Sequence, residues 1–383
     1  MVGPRPCGSG GNCNVREEGA VASEQSVPVV IIGAGQAGLS VAYYLRRFEL
    51  VSGRDFVIYD RGPDAGGAWQ HRWDSLRLGT AHHVNDLPGM TELGISFDTA
   101  DRSLPAKDVV ADYYRRYEEH FELHVERPIT VTSVFNRRAD LVVASTSPSP
   151  ELGDRETSAR LLVNATGTWG APFIPYYPGS HSFAGRHVHT AQYRSAQEFE
   201  GQRVVVVGGG TSAIGFLLEL ENVAAELTWT SRRPIDWVHT EELDLEGASA
   251  AVAAQDEAAR SGRALPSIVS GTGVPVSRRI AAGIERGLLV ARPIFTAIEP
   301  NGVRWADGSF TEADAIIWAS GFRPELRHLA PLKLREKAGG LIVGAGASWT
   351  DPRIFLAGYG PQASTVGANR AGRMIARQIV SLL

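Results

Sequence analysis

Two glycine-rich loops, each directly after a short apolar run, constrain the fold of this chain more than any other feature. The first is Gly33-Ala34-Gly35-Gln36-Ala37-Gly38, behind the run 29–32, and the second is Gly208-Gly209-Gly210-Thr211-Ser212-Ala213, behind the run 204–207. Apolar runs without polar alternation are typical of parallel strands covered on both faces. A strand, a glycine turn and a helix make up the Rossmann unit that binds dinucleotides. The sequence therefore predicts an α/β fold with two Rossmann-like dinucleotide-binding domains.

The glycines of the first loop have separate roles in such a unit. Gly33 permits a tight turn, Gly35 lets the backbone approach a pyrophosphate, and Gly38 allows the helix to pack closely on the strand. The pyrophosphate would meet the N-terminus of the helix, where unpaired amides favour negative charge. Asp60 ends the next apolar run and is placed to accept hydrogen bonds from a ribose.

The loop Gly66-Gly67-Ala68-Trp69 indicates which dinucleotide the first site holds. Two adjacent glycines let the backbone lie against a large flat group, and such a loop after an N-terminal site favours FAD. Ala165-Thr166-Gly167 offers another close backbone approach, and residues 358–367 precede a last helix whose N-terminus could meet the flavin. The predicted FAD contacts are Gly33, Gly35, Gln36, Ala37, Gly38, Tyr59, Asp60, Gly67, Ala68, Trp69, Ala165, Thr166, Gly167, Gly358 and Gln362, with Ala363 and Ser364 as further candidates.

The second loop favours NADPH. It has Ala213 in place of the third glycine, which the dinucleotide fingerprint tolerates. The strand that follows ends in Ser231-Arg232-Arg233 and carries no acid, and an arginine at this point can bind the 2′-phosphate of NADPH. If the two arginines are only a solvated pair in a loop, the enzyme could accept either NADPH or NADH as its reductant.

A third pattern, Phe-x-Gly-x-x-x-His-x-x-x-Tyr from Phe183 to Tyr193, lies between the two loops. Taken with both loops, the run 66–69, the run 319–324 and Gly358-Tyr359-Gly360, this pattern makes the chain resemble the flavin-containing monooxygenases, above all their short bacterial branch, from about residue 27 onward. The resemblance and the second loop together predict NADP(H) contacts from His189, Tyr193, Gly208, Gly210, Thr211, Ser212, Ala213, Ser231, Arg232, Arg233, Ala319, Ser320 and Gly321. His189 and Tyr193 could instead be linker anchors.

The resemblance implies a reaction as well as two cofactors, FAD and NADPH. NADPH would reduce the flavin, O2 would add to give a C4a-(hydro)peroxyflavin, and one oxygen atom would pass to a small-molecule soft nucleophile. The outcome would be sulfoxidation of a thioether or N-oxygenation of an amine. Because the flavin carries this chemistry, no side chain is predicted to be catalytic, and Gly79, Thr80 and Tyr193 are only pocket candidates.

Two departures from the family pattern keep alternatives open. Baeyer–Villiger enzymes, which oxygenate ketones, have a related pattern that ends in Trp where this chain has Tyr193. Many family members place an Asn near the flavin where this chain has Gly79 or Thr80, and Asn85 is offset from that point. A weakly coupled NADPH oxidase that releases hydrogen peroxide is therefore an alternative. A reductase without oxygen transfer and a flavin-binding regulatory protein without turnover are two others.

Composition argues against several kinds of partner. The formal net charge is -4 and no basic stripe is present, so nucleic acid is not expected. No apolar stretch approaches the roughly 18 residues of a membrane span. Cys7 and Cys13 both lie in the segment 1–26, so the folded part has no cysteine pair for disulfide reduction, and a cytoplasmic location is expected. His82-His83 lacks a third ligand at a useful spacing, so no metal site is predicted. A homodimer is compatible with the sequence.

The predicted domain organisation is discontinuous. Residues 1–26 are interpreted as a disordered tail, because they are rich in Gly, Ser and Glu and have no apolar core. Residues 27–168 and 310–383 are predicted to form the FAD-binding domain. Residues 169–309 are predicted to form an NADP(H)-binding domain inserted within it.

Overall fold

Parallel sheets flanked by helices make up the part of the chain that the computed structural model describes, residues 24–81, 83–238, 245–266, 273–348, 350–363 and 365–383. The α-helices are α1 (Gln36–Arg47), α2 (Ala106–His120), α3 (Thr211–Leu220), α4 (Leu245–Arg260), α5 (Arg278–Glu285) and α6 (Thr365–Leu382). The strands are β1 (Glu24–Ile32), β2 (Phe56–Tyr59), β3 (Val125–Glu126), β4 (Thr130–Arg137), β5 (Asp140–Thr146), β6 (Arg155–Asn164), β7 (Arg186–His189), β8 (Arg203–Val207), β9 (Glu226–Ser231), β10 (Trp237–Val238), β11 (Val274–Pro275), β12 (Arg292–Pro293), β13 (Ala297–Glu299), β14 (Gly302–Arg304), β15 (Phe310–Glu312), β16 (Ala315–Trp318), β17 (Val343–Gly344), β18 (Ala347–Ser348) and β19 (Ile354–Leu356).

The first sheet has nine strands within the described residues, with β17-β18-β19-β6-β1-β2-β3 as its main path; β5 also pairs with β6, and β4 pairs with β5. Its centre is parallel, since β1 pairs with β2 and β6, and β19 pairs with β6. The carboxyl ends of these four strands therefore meet at one edge. In α/β sheets this edge is where ligands bind.

Alternate residues of β1 enter two separate cores. Val29 and Ile31 pack on one face with residues of α1 and α6, whereas Val30 and Ile32 pack on the opposite face. Each of the four is at most 5% exposed. Burial on both faces explains why the run has no polar alternation, and each such side chain contributes about 1.5–3 kcal/mol to folding.

The second sheet repeats this arrangement. Its five strands within the described residues, in the order β12-β9-β8-β16-β7, are all parallel. Val204 and Val206 of β8 pack on one face, and Val205 and Val207 pack on the other. Strands β13, β14 and β15 form a small antiparallel sheet beside it. The two parallel sheets confirm the predicted α/β class.

The structure corrects the predicted limits of the two units. Strand β16 lies in the middle of the second sheet, between β8 and β7, so the limit at residue 309 assigned a central strand to the wrong unit. The signal is absent from the sequence because strand order depends on pairing across about 110 residues of chain. At the other end, β1 begins at Glu24, so residues 24–26 belong to a strand and not to the predicted tail. Residues 1–23 lie outside the described residues.

The chain crosses between the two units twice, and the crossings run side by side. The amide of Phe173 donates to the carbonyl of Gly321 (3.0 Å), and the amide of Arg323 donates to the carbonyl of Ala171 (2.8 Å). Such backbone pairing fixes the two crossings relative to each other. No described helix combines the length and the apolar composition needed to cross a bilayer.

Candidate active site

A cleft of about 220 Å³ opens where the parallel strands of the first sheet end. It is lined by the first glycine loop after β1, the segment 60–71 after β2, residues 165–169 after β6 and the segment 357–363 after β19. All of the predicted FAD contacts except Gly38 and Tyr59 line this cleft, and so does Ala363. The further candidate Ser364 lies outside the described residues.

The glycines of the first loop divide into packing positions and one open position. Gly33 has a φ of +104°, and a Cβ there would lie 2.5 Å from the carbonyl oxygen of Ala165. A Cβ on Gly38 would collide with the carbonyl of Gly33. In contrast, a Cβ on Gly35 would meet only the Cα of Gly67, at 3.9 Å. Gly35 therefore presents bare backbone to the cleft, which a methyl group would enter.

Helix α1 points its N-terminus into the cleft. Its N-cap residue, Gly35, has no side chain to bond the first-turn amides, and Gln36 and Ala37 line the cleft. Such a helix end carries a partial positive charge that favours a phosphate. Asp60 also lines the cleft, with Oδ2 accepting from the Ala34 amide and Oδ1 from the Gly62 amide, both at 2.7 Å. Each oxygen keeps a second lone pair for a ligand hydroxyl.

Two side-chain amides leave acceptors available in the cleft lining. The Oε1 atoms of Gln70 and Gln362 are buried and have no hydrogen-bond partner. A buried acceptor without a partner costs about 1–3 kcal/mol. The hydroxyls and ring N–H of a flavin nucleotide are donors that would satisfy such atoms. The lining therefore fits FAD in its polarity and charge: a helix N-terminus, a carboxylate and two unpaired amide oxygens.

Two predicted FAD contacts have a packing role instead. Tyr59 is fully buried in the first sheet, and its hydroxyl bonds the Thr157 hydroxyl at 2.8 Å. Burial raises the pKa of this phenol. Gly38 is buried against Gly33 and Ala165. Neither residue lines the cleft, and strand alternation turns Tyr59 away from the edge where its neighbour Asp60 reaches it.

A buried histidine supports the floor of the cleft. His328 Nε2 lies 2.6 Å from Oδ1 of Asn164, the last residue of β6. Burial, with a smaller effect of Arg61, lowers the pKa of His328 to about 4, so the ring is neutral at pH 7. The hydroxyl of Thr166 donates to the Glu325 carbonyl (2.7 Å). These bonds hold the 165–167 loop against the second crossing segment.

The pocket candidates Gly79 and Thr80 do not line the cleft. Both are exposed; the Gly79 amide donates to the carbonyl of Arg102 (2.9 Å), and the Thr80 hydroxyl donates to the carbonyl of Arg77 (3.1 Å). Asn85 is also outside the cleft lining, and its carbonyl accepts from Gln36 Nε2 (3.0 Å). These residues belong to an irregular loop, where no periodicity in the sequence fixes position.

The second glycine loop reproduces the backbone of the first. Gly208 has a φ of +141°, and a Cβ there would collide with the carbonyl of Ala319, as Gly33 would with Ala165. Helix α3 begins at Thr211, and Gly210 is its N-cap. Arg232 and Arg233 follow β9; both are exposed and have no carboxylate partner within the described residues. Three of the other predicted contacts have packing or hydrogen-bonding roles: Ala213 is buried, Ser231 is 8% exposed, and the Ser320 hydroxyl bonds the Phe173 carbonyl.

His189 and Tyr193 are structural anchors in this structure. His189 donates from Nε2 to the Gly321 carbonyl (2.9 Å) and accepts at Nδ1 from the Ala191 amide (3.1 Å), so both ring nitrogens are used. Burial lowers the pKa of His189. Tyr193 is 1% exposed and packs on Phe216. Tyr193 therefore belongs to a core of the second unit, and the alternative of linker anchors fits both side chains.

Sequence reasoning missed Glu219 in helix α3. Its carboxylate accepts from Trp73 Nε1 (3.0 Å), from the Ser75 hydroxyl (2.8 Å) and from the Tyr193 hydroxyl (3.0 Å). Trp73 and Ser75 belong to the loop after β2, so one carboxylate joins the first unit to the second. A lone acid within the apolar run 213–220 was the available signal.

Aromatic residues continue the cleft toward the second unit. Trp169 lines the cleft and stacks on Phe322 of the second crossing segment, with ring centroids 4.9 Å apart. Phe322 in turn makes an edge contact with His189, also at 4.9 Å. The cleft and the ends of β7 and β16 are therefore neighbours. The described residues hold no group of three or more His, Cys, Asp or Glu side chains that could bind a metal.

Comparison with known proteins agrees with this geometry. A family model of the pyridine nucleotide-disulphide oxidoreductases matches residues 30–245. The structure of a flavin-containing monooxygenase from Stenotrophomonas maltophilia is 33% identical, with a TM-score of 0.75, over 94% of this chain and 99% of that one.

Two proteins related in sequence agree with this comparison. The uncharacterized oxidoreductase CzcO of Bacillus velezensis is 26% identical over 85% of this chain and 90% of its own length. The senecionine N-oxygenase of Tyria jacobaeae is 26% identical over 57% of this chain and 50% of its own length. The resemblance predicted from the sequence is thus confirmed, as is the use of a flavin and a pyridine nucleotide. The chain belongs to the pyridine nucleotide-disulphide oxidoreductase family and is an oxidoreductase of the flavin-containing monooxygenase type.

Proposed function

We propose that this enzyme binds FAD in the cleft and NADPH at the second glycine loop, and inserts one oxygen atom of O2 into a soft nucleophile. Thioethers and amines are the proposed substrates. The observation that carries the proposal is the adjacency of the two sites: the cleft ends at Trp169, which stacks on Phe322 beside the strand ends of the second unit. A nicotinamide bound there would reach a flavin bound in the cleft.

The side chains that would hold FAD are those already described. The N-terminus of α1 and the bare backbone of Gly35 would receive the pyrophosphate, and Asp60 would accept from the ribose. Gln362 would accept a flavin N–H or hydroxyl at its unpaired Oε1. When bound, FAD supplies the acceptance of hydride from NADPH and the activation of O2. The protein orients both nucleotides and keeps water from the reacting atoms.

NADPH is proposed over NADH because of Arg232 and Arg233. Both guanidinium groups are exposed and lack a carboxylate partner in the described chain, so they are available to a 2′-phosphate. Arg232 lies close enough to Tyr177 to lower the pKa of that phenol, although burial of Tyr177 raises it more. The position of the pair at the end of β9 is where a Rossmann unit reads the 2′-substituent.

Support for the substrate class comes from the resemblance and one relative. A protein 26% identical is named as an N-oxygenase, which supports an amine substrate. Oxygenation of ketones stays an alternative. So does a weakly coupled oxidase, since the side-chain amides in the described cleft lining come from Gln36, Gln70 and Gln362 and not from asparagine. Cytoplasmic location and a homodimer remain proposals on the sequence arguments alone.

The test is a measurement of coupling with the FAD-loaded enzyme. NADPH consumption, sulfoxide formation from methyl phenyl sulfide and hydrogen peroxide release are followed together, and dimethylbenzylamine is run in parallel. We expect oxygenated product close to one per NADPH with a thioether or an amine. Peroxide equal to NADPH with every substrate would establish the oxidase instead. No NADPH oxidation at all would contradict the proposal and favour a non-catalytic flavoprotein.

A further inference from the structure

Arg72 is a cation held between two tryptophans without an anion. Its guanidinium carbon lies 4.3 Å from the ring centroid of Trp169 and 5.5 Å from that of Trp69. Both tryptophans line the cleft, and so do the two residues that precede Arg72, Gln70 and His71. Arg72 is not itself among the lining residues, but its guanidinium lies beside the end of the cleft that approaches the second unit.

The stacking accounts for the faces of the guanidinium but not for its N–H groups. Arginine has five donors, all in the plane of the group, and aromatic rings contact the faces. The Nε of Arg72 is buried without a partner, and neither terminal nitrogen is bonded to a described residue. Arg127 and Arg155 also have an unpaired Nε, but their terminal nitrogens bind Glu118 and Glu126. Arg72 lacks that compensation.

Burial also acts on the charge of Arg72. Burial lowers the pKa of Arg72 to about 10 with no carboxylate acting against it. By contrast, carboxylates raise the pKa of Arg203 and Arg286. The neighbouring His71 has its pKa lowered by burial first and then by Arg61, while Asp60 acts in the opposite direction and Arg194 and Arg72 lower it further. Arg72 is thus charged at pH 7 and has N–H donors left for an anion.

We infer that Arg72 binds an oxyanion of a small molecule held at this end of the cleft. A carboxylate or a phosphate offers two oxygens in one plane, which matches the fork of the guanidinium while the indole rings hold its faces. Two sources carry such a group: a substrate with a carboxylate next to its thioether or amine, or a phosphate of the nicotinamide dinucleotide. The substrate source rests on the proposed function; the phosphate source rests only on a bound dinucleotide.

The test compares binding constants, measured without turnover. The oxidised, FAD-loaded protein is titrated anaerobically with 3-(methylthio)propanoate, with its uncharged amide and with NADP⁺, following flavin absorbance and tryptophan fluorescence. The variants are Arg72→Gln, which removes the charge, and Arg72→Lys, which keeps the charge but loses the planar fork. Arg77→Gln is the matched control, because Arg77 is an exposed arginine of the same loop with no side-chain partner in the described chain.

Each outcome has a defined meaning. If Arg72→Gln raises the Kd of the propanoate about tenfold or more and leaves the Kd of the amide unchanged, Arg72 binds a substrate carboxylate. If the variant raises the Kd of NADP⁺ by a similar factor and changes the Kd values of the two thioethers equally, Arg72 binds a phosphate of the dinucleotide. In either case Arg72→Lys should fall between wild type and Arg72→Gln.

Unchanged constants for all three ligands in Arg72→Gln would overturn the inference. Should Arg72→Gln lose FAD, Arg72→Lys decides the question with the same three ligands. Because binding is measured in the absence of O2, a failure of oxygen transfer in the coupling experiment would not affect the result.

Discussion

The two glycine loops share a backbone design but differ in what surrounds them. At the first loop, other parts of the chain close over the glycines: the Cα of Gly67 faces Gly35, and Gly358 would contact Ala37 if it had a Cβ. At the second loop, a Cβ on Gly209 would meet only Ser231 and Ile235 of its own unit. Four segments line the first site, whereas the Cβ positions of Gly208 and Gly209 in the second loop face Ala319, Ser231 and Ile235. This difference fits a nucleotide that stays bound through many turnovers at the first loop and one that exchanges at the second.

The largest effect is expected from Gly35→Ala, which tests whether the first loop is a permanent cofactor site. Gly35 has a φ of -82°, which alanine adopts, and its Cβ would meet no atom closer than 3.9 Å. The protein should fold normally, but the methyl group would occupy the place of the pyrophosphate, so the purified protein should lose its FAD. Flavin absorbance per protein measures the retention of FAD, and thermal unfolding measures whether the protein is folded normally.

Gly215→Ala is the matched control for that variant, because a Cβ at this position of α3 also meets nothing within 4 Å. It should keep FAD and gain slightly in stability, since alanine has the higher helix propensity. A fully yellow Gly35→Ala protein would contradict the assignment of FAD to the first loop.

The next effect should come from the double variant Arg232→Ala and Arg233→Ala, which probes the second loop. Loss of two charged hydrogen-bond donors should raise KM for NADPH by about 100-fold and change KM for NADH little. Steady-state kinetics with both nucleotides give the ratio. The control is Arg278→Ala with Arg279→Ala, an exposed adjacent pair in α5 of the same unit. Equal changes for NADPH and NADH would remove the 2′-phosphate assignment.

A smaller effect concerns His328 beneath the first site. Its folded pKa of about 4 lies below the unfolded value near 6.5, so below pH 6.5 the unfolded state binds the proton more readily. The contribution of His328 to the free energy of unfolding is therefore fully present above pH 6.5 and is lost as the pH falls toward 4. Between pH 6 and pH 5 the loss from this group is about 1 kcal/mol.

Urea unfolding at the two pH values measures this loss. His328→Gln keeps a donor for Asn164 but cannot titrate, so its stability should fall less than that of wild type over the same interval. An identical pH dependence in both proteins would show that His328 is not the group responsible.

The smallest effect is expected at Glu219, the contact between the two units. In Glu219→Gln the amide still accepts through one oxygen but no longer serves as a charged acceptor for three donors. A loss of about 1 kcal/mol in this contact should slow reduction of bound FAD by NADPH about fivefold. Stopped-flow absorbance measures that rate. Glu285→Gln, an exposed acid of α5, is the control, and equal rates in the two variants would confine Glu219 to a packing role.

Much of the first site was predictable because it rests on local rules. Glycine positions, the acid at Asp60 and small residues after β6 follow from strand, turn and helix geometry, and the structure brings them into one cleft. The candidates Tyr59, Gly79, Thr80 and Tyr193 lie outside the cleft lining, and their placement depended on side-chain direction or on irregular loops. No periodic pattern in the sequence fixes either of these.

The sequence by itself determined that this chain has two glycine turns behind two buried strands, because apolar runs and glycine spacing act within one unit of about 30 residues. Only the tertiary structure decided that β16 completes the second sheet, that Glu219 joins the units, and that Arg72 is enclosed by Trp69 and Trp169 without an anion. These features depend on contacts between residues far apart in the chain, and burial of a charge is a property of the packed molecule alone.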